Sequence, residues 1–188
     1  MGRLTISGGR LGGRRISAPR GRAVRPSAAR VREATFARLG SVAGLHVLDL
    51  FAGSGALGFE ALSRGAATVT FVERSRRAAS IVGDNARALG VEEQCRVVVR
   101  DWRAALRAEA AAGHTYGLCL IDPPYSVMGR IADALADALP AVLDPGALVV
   151  VEASSGEPPA LVGLAADARD DRMYGDTAVS VIRAKRAV

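Results

Sequence analysis

The chain has 188 residues, 49% of them hydrophobic but only 4% aromatic, and a formal net charge of +6. That length supports one domain with a full core built from Ala, Val and Leu, and the composition excludes a disordered chain. No apolar run approaches the roughly 20 residues that cross a bilayer, and the basic N-terminus lacks the apolar stretch of a secretory signal. A cytoplasmic protein with no membrane partner is therefore expected.

The charge is unevenly spread. Residues 1–32 hold nine arginines and no acid, which leaves 16 basic residues against 19 acidic ones in the remainder. Such an arm, taken as residues 1–26 ahead of a domain at 27–188, is expected to meet phosphate. Arg10, Arg14, Arg15, Arg20, Arg22 and Arg25, with Arg30 and Arg32 just past the arm, are the candidate nucleic-acid contacts. The alternative is a solvated tail.

In chain order, short β-branched stretches around the glycine pairs Gly8-Gly9 and Gly12-Gly13 predict a small twisted hairpin. Pro19, Gly21 and Pro26 break the chain, and Ser27 is positioned to cap a helix reaching Leu39. Val31, Ala34, Thr35 and Leu39 form the apolar stripe of that helix, with Arg30, Arg32 and Arg38 off it. From His46 the pattern alternates strand and helix. Strands are predicted at Val47–Phe51, Thr68–Val72, Arg96–Val99, Leu118–Ile121 and Ala147–Val151. Helices are predicted at Ala56–Ser63, from Ser75 to Leu89, up to Ala112, and over Arg130–Leu139. Two last strands, Ala168–Met173 and Ala178–Ala184, flank a turn at Tyr174-Gly175-Asp176. Alternating units with continuous apolar strands mean a parallel sheet covered on both faces.

Cys95 and Cys119 fall inside strands, and no His/Cys cluster has metal-ligand spacing, so no metal is expected. His46 and His114 have no visible partner and are expected in solvent.

The acids and glycines carry the chemistry. Open α/β sheets bind ligands at the carboxyl ends of their strands. Asp49 falls near such an end, and Glu73, Asp101 and Asp122 fall at or just past one. The stretch Asp49-Leu-Phe-Ala-Gly-Ser-Gly-Ala-Leu-Gly58 turns sharply at Gly53 and Gly55, and Gly58 lets the helix pack close to the sheet. It resembles a dinucleotide fingerprint, but Asp49 would repel a pyrophosphate. A ligand bearing an ammonium and a sulfonium would be attracted, which favours S-adenosylmethionine (SAM) over NAD. Glu73, 20 residues after Gly53, can accept hydrogen bonds from ribose hydroxyls. Asp101 can accept from an adenine amine and Trp102 can pack on the ring or serve the core. Phe51, Ser54 and Arg74 complete the candidate cofactor group.

Asp122-Pro123-Pro124-Tyr125 is the sharpest motif. The prolines stiffen the backbone and remove two N–H donors, leaving the Asp122 carboxylate and the Pro123 carbonyl as acceptors. Two acceptors suit an NH₂ group, and the Tyr125 ring can stack on a base turned out of its helix. A thiolate for base C5-methylation would be expected on a loop rather than inside a strand.

These stretches, with Phe71-Val-Glu73, resemble the RsmD family of small bacterial 16S rRNA guanine-N2 methyltransferases. The early Ile6-Ser-Gly-Gly-Arg10 fits that family's hairpin. Arg25-Pro-Ser-Ala-Ala-Arg-Val-Arg-Glu33 is similar to its Arg-Pro-Thr-x-x-Arg-Val-Arg-Glu signature, with Ser27 where Thr is usual. The resemblance implies an α/β, Rossmann-like class I SAM-dependent methyltransferase fold. It has a seven-stranded, mostly parallel sheet, an antiparallel C-terminal hairpin and a small N-terminal β-hairpin arm. It implies SAM contacts at Asp49, Gly53, Glu73 and Asp101 and catalysis at Asp122–Tyr125. The implied substrate is 16S rRNA in the 30S subunit or its precursor, methylated at N2 of guanine 966, by a monomer. Three rivals stay open: an adenine-N6 DNA methyltransferase, a non-catalytic RNA-binding assembly factor, and an NAD-dependent oxidoreductase, the last disfavoured by Asp49.

Overall fold

The computed structural model describes residues 2–19, 26–154, 161 and 163–185, and the backbone alone at 26–28, 125 and 126. Seven strands form one sheet in the order β5-β4-β3-β6-β7-β9-β8, and β1 and β2 form a separate pair. The chain divides into two compact units, residues 1–102 and 103–188.

In the first unit, β1 (Gly2–Thr5) and β2 (Arg15–Ala18) make the antiparallel hairpin. Helix α1 (Pro26–Leu39) follows, then β3 (His46–Asp49), α2 (Ala56–Ser63), β4 (Thr68–Val72), α3 (Arg76–Leu89) and β5 (Cys95–Val98). Strand β4 pairs in parallel with both β3 and β5. Helix α1 starts at Pro26, so Ser27 lies inside it rather than capping it; a proline in the first turn has no N–H to waste. Its buried stripe takes in Phe36 and Arg32 beside Val31, Thr35 and Leu39, and Ala34 sits half-exposed.

Residues Leu57–Ser63 of α2 are all buried. A helix buried all round needs cover on two sides. On one side Phe59 meets Phe71 of β4, ring centroids 4.9 Å apart. On the other lies the hairpin: the Arg10 and Leu11 amides donate to the Ser63 carbonyl and hydroxyl at 2.8 and 2.9 Å.

In the second unit, α4 (Trp102–Ala111, whose first residue closes the first unit) leads to β6 (Tyr116–Ile121), α5 (Tyr125–Ala138), β7 (Leu143–Ser154), β8 (Ala166–Tyr174) and β9 (Thr177–Ala184). Strand β6 runs parallel to β7, and β9 is antiparallel to both β7 and β8. All six residues of β6 are buried, as a strand covered on both faces must be. The C-terminal strands thus turn antiparallel where the sequence pattern puts them.

No helix among the described residues is long and apolar enough to cross a membrane. No group of three or more His, Cys, Asp and Glu side chains among them could hold a metal ion.

Candidate functional site

The glycine turn after β3 and the first turn of α2 are held at three points by side chains. Asp49, only 1% exposed, accepts from the Gly58 amide at 3.0 Å. Gly55 precedes α2 with a left-handed backbone (φ 80°) and has no side chain to cap the helix, so Asp49 does so from the strand. Glu73 accepts from the Gly53 amide at 3.0 Å through one oxygen and from the Ser75 amide at 2.8 Å through the other. Asn85 of α3 donates to the Ser54 carbonyl at 3.0 Å. At Gly58 an added Cβ would lie 2.3 Å from the Phe71 ring and 2.8 Å from Val69, so glycine is what lets α2 lie this close to β4.

Asp49 and Glu73 therefore bind protein backbone as well as being candidates for a ligand. A carboxylate offers about four acceptor positions, and the half-exposed Glu73 keeps capacity for hydroxyls. The acceptor set around the turn is two carboxylates. That fits the ribose hydroxyls and the cationic end of SAM, and it does not fit a pyrophosphate. Phe51 is half-exposed and Ser54 buried, while Arg74 and Asp101 are exposed, Asp101 three residues past β5. Trp102 opens α4 and is 6% exposed, so its indole serves packing at least as much as any ligand.

The arginines proposed for nucleic acid divide. Arg32 is buried, and its Nε lies 3.1 Å from Glu60 Oε2 while its terminal nitrogen donates to the Thr5 carbonyl. It fastens the hairpin and is unsuited to meet RNA, contrary to the expectation from sequence, because a buried guanidinium paired on both sides cannot reach phosphate. Glu60 also accepts from the Ser7 and Gly8 amides at 2.8 and 3.0 Å and pairs with Arg64 at 2.9 Å. Burial would raise the Glu60 pKa, but hydrogen bonds from Ser7 and Arg64 and the Arg32 charge outweigh it and hold the carboxyl below its ordinary value. Arg10, Arg14, Arg15 and Arg30 are exposed, with Arg10 donating to the Gln94 side chain and Arg14 to the Ala88 carbonyl. Arg20, Arg22 and Arg25, the remaining candidates for phosphate, lie outside the described residues.

Asn85 is a site residue that the sequence motifs do not mark. It is a polar residue on the buried stripe of α3 formed by Ala78, Val82, Ala86 and Leu89, and that misplacement is its only signal.

In the second unit, Asp122 follows β6 directly, half-exposed, with Pro123 buried and Pro124 exposed. Pro124 (φ −54°, ψ 133°) keeps the extended backbone expected of the proline pair and then caps α5, its carbonyl accepting from Val127 at 2.8 Å. Helix α5 begins at Tyr125, not near Arg130, because the Pro124 carbonyl takes the Val127 amide and so closes the first turn directly after the prolines. The Tyr125 side chain lies outside what is described. Asp122 thus stands at the carboxyl end of a fully buried strand, on a turn three residues long.

Neither thiol is a nucleophile. Cys119 is fully buried, and burial with the Glu92 charge pushes the Cys95 thiol up to about 12. The histidines have partners, which the sequence does not show: His46 Nδ1 meets the Thr68 hydroxyl at 2.8 Å, and His114 Nδ1 lies 2.9 Å from the buried Glu109, which also accepts from Tyr116 at 2.6 Å.

The sheet, with its parallel strands and antiparallel end, has the fold of solved SAM-dependent methyltransferases. The family model "Conserved hypothetical protein 95" matches residues 4–183. "Ribosomal RNA small subunit methyltransferase D" of Haemophilus influenzae is 32% identical over 163 residues, 84% of this chain and 82% of its own length. Its namesake in Escherichia coli is 38% identical over 125 residues, 66% of this chain and 61% of its own length. A solved candidate methyltransferase of E. coli, yhhF, superposes with a TM-score of 0.82 at 29% identity, covering 99% of this chain and 100% of that one. The chain belongs to this family, the RsmD family of rRNA methyltransferases.

Proposed function

We propose that the chain transfers a methyl group from SAM to N2 of a guanine in small-subunit rRNA, position 966 in the family pattern, acting as a monomer on the 30S particle or its precursor in the cytoplasm. The observation that carries the reading is Asp122-Pro123-Pro124 at the end of β6: one carboxylate and one carbonyl on stiff backbone, with no proline N–H to compete.

Asp122 and the Pro123 carbonyl each accept one hydrogen of the guanine amine. Held so, the nitrogen lone pair leaves conjugation with the ring and becomes the nucleophile. SAM held at the glycine turn would supply an electrophilic methyl carbon on a sulfonium, the carbon–sulfur bond breaking as the nitrogen–carbon bond forms and S-adenosylhomocysteine leaving. Asp122 takes the proton that the alkylated nitrogen sheds. Glu73 binds ribose hydroxyls while its bonds to Gly53 and Ser75 keep the turn in shape. Most of the acceleration comes from alignment, which converts an encounter between two molecules into a step within one complex. The exposed arginines Arg10, Arg14, Arg15 and Arg30, together with Arg20, Arg22 and Arg25, contact phosphate.

Supplying SAM labelled in its methyl group to unmodified 30S particles, to naked 16S rRNA and to duplex DNA tests the reading. Digestion of labelled rRNA to nucleosides should yield N2-methylguanosine. Label in DNA adenine alone would replace this reading with the adenine-N6 one, and no transfer to any substrate would favour the assembly factor.

A further inference from the structure

Asn85 is 3% exposed and spends its amide on two structures at once. Its Oδ1 accepts from the Ser17 amide at 2.8 Å, and its Nδ2 donates to the Ser17 carbonyl at 2.9 Å and to the Ser54 carbonyl at 3.0 Å. Ser17 pairs with Arg3 across the hairpin. Both its backbone groups point away from Arg3 and toward Asn85, so this is a position where the ladder itself makes no bond. The carboxamide of Asn85 therefore does for the open edge of β2 what a third strand would do. With its second amide hydrogen it fixes the middle residue of Gly53-Ser54-Gly55.

Glu73 holds Gly53 of that turn and Asp49 holds Gly58 in the first turn of α2, and both carboxylates belong to the cofactor motif. Asn85 belongs to no motif. It is the one of the three clamps that also grips the arm. A shift of the hairpin must then release Ser17 or carry the turn with it. Leaving the buried Ser54 carbonyl and the two half-buried Ser17 groups without partners is costly, so the two ends move as a pair.

We propose that Asn85 is a positioning residue that couples the hairpin to the cofactor turn, so that SAM binding tightens the hairpin and RNA held by the hairpin tightens SAM. The coupling is reciprocal by linkage: whatever factor SAM imposes on RNA affinity, RNA imposes on SAM affinity. It rests on the function proposed above.

Amide exchange in the full chain, followed by NMR with and without SAM, tests it. SAM should slow exchange at Ser17 by about five-fold or more, the usual lower range for coupled sites. The Ile16 amide, in a position bonded within the hairpin ladder, serves as the internal reference. In Asn85→Asp the carboxylate still accepts from the Ser17 amide but cannot donate to either carbonyl. SAM should still bind this variant, with a raised KM, and Ser17 should no longer respond. Asn85→Ala should behave alike, and the wild-type exchange response stands as evidence even where a variant fails to fold. SAM binding by the wild type with unchanged Ser17 exchange overturns the coupling and leaves the function standing. Failure of the wild type to bind SAM overturns both.

Discussion

The Nε of Arg32 stands 3.1 Å from Oε2 of Glu60, and the two side chains are 6% and 0% exposed. The pair is sealed by the hairpin it fastens, since Ser7 and Gly8 donate to the same carboxylate and Thr5 accepts from the same guanidinium. A buried pair contributes little net stability over a hydrophobic pair, but removing one partner strands the other charge. Glu60→Gln should therefore lose about 3 kcal/mol or more. Urea unfolding of the two proteins at pH 7 measures it, and equal midpoints would show that the hairpin does not depend on this ion pair.

The same carboxyl makes stability depend on pH. Its folded-state pKa lies below the ordinary 4.5. A depressed carboxyl pKa stabilises the fold above the unfolded value, and that contribution is lost as pH falls through the folded value. The stability gap between wild type and Glu60→Gln should thus be constant above pH 4.5 and narrow below it. Thermal unfolding of both proteins across pH 3 to 7 checks the sign; a gap that widens on acidification would contradict it.

Gly58 offers a packing test of the cofactor region. Alanine favours a helix over glycine by up to about 1 kcal/mol. Against this, the new Cβ would fall 2.3 Å from the Phe71 ring, which is itself wedged against Phe59. Overpacking of that kind costs about 1–3 kcal/mol, so the clash outweighs the propensity gain. Gly58→Ala should be destabilised by about 2 kcal/mol at most, and shortening the ring with Phe71→Leu should recover part of the loss. A Gly58→Ala protein as stable as wild type would mean that α2 can lift from the sheet at no cost.

What the sequence reveals and what it hides follow from the range of the interactions. Strand–helix alternation is local, so β3 through β7 and the strand-end placement of Asp49, Glu73 and Asp122 are legible. So is the packing role of Gly58, because the glycine spacing encodes it. Arg32 misleads because its charge and its place off the apolar stripe both indicate solvent, and only a partner 28 residues away reverses that. Asn85 is hidden for the same reason: Ser17 and Ser54 lie 68 and 31 residues from it. The start of α5 falls earlier than the sequence pattern suggests, because Asp-Pro-Pro-Tyr reads as extended chain while the helix starts on its last residue, capped by the Pro124 carbonyl.

At the catalytic turn, Asp122→Asn keeps the side chain's size and one acceptor but removes the group that receives a proton. Turnover on the rRNA substrate should fall roughly 10²- to 10⁴-fold, the range for loss of a positioned base. SAM affinity, measured by calorimetry, should stay near the wild-type value, because the proposed cofactor contacts lie at Asp49, Gly53 and Glu73. Full activity in Asp122→Asn would remove Asp122 from the reaction.

If the arm holds phosphate, affinity for RNA must fall steeply as salt rises, because each neutralised phosphate releases counterions. Arg15 is exposed on β2 and Arg14 is exposed beside it, so both can serve without disturbing the hairpin's buried anchors. Replacing Arg14, Arg15, Arg20 and Arg22 together with alanine should flatten the log–log slope by about 0.7 to 0.9 for each phosphate that is no longer neutralised. Arg32→Ala should act differently. It should destabilise the fold and loosen the hairpin, weakening binding by displacing the arm and not by removing charge from the interface. Filter binding across a salt series separates the two: an unchanged slope in the quadruple variant would make the arm a structural cap on α2 and not an RNA-binding element.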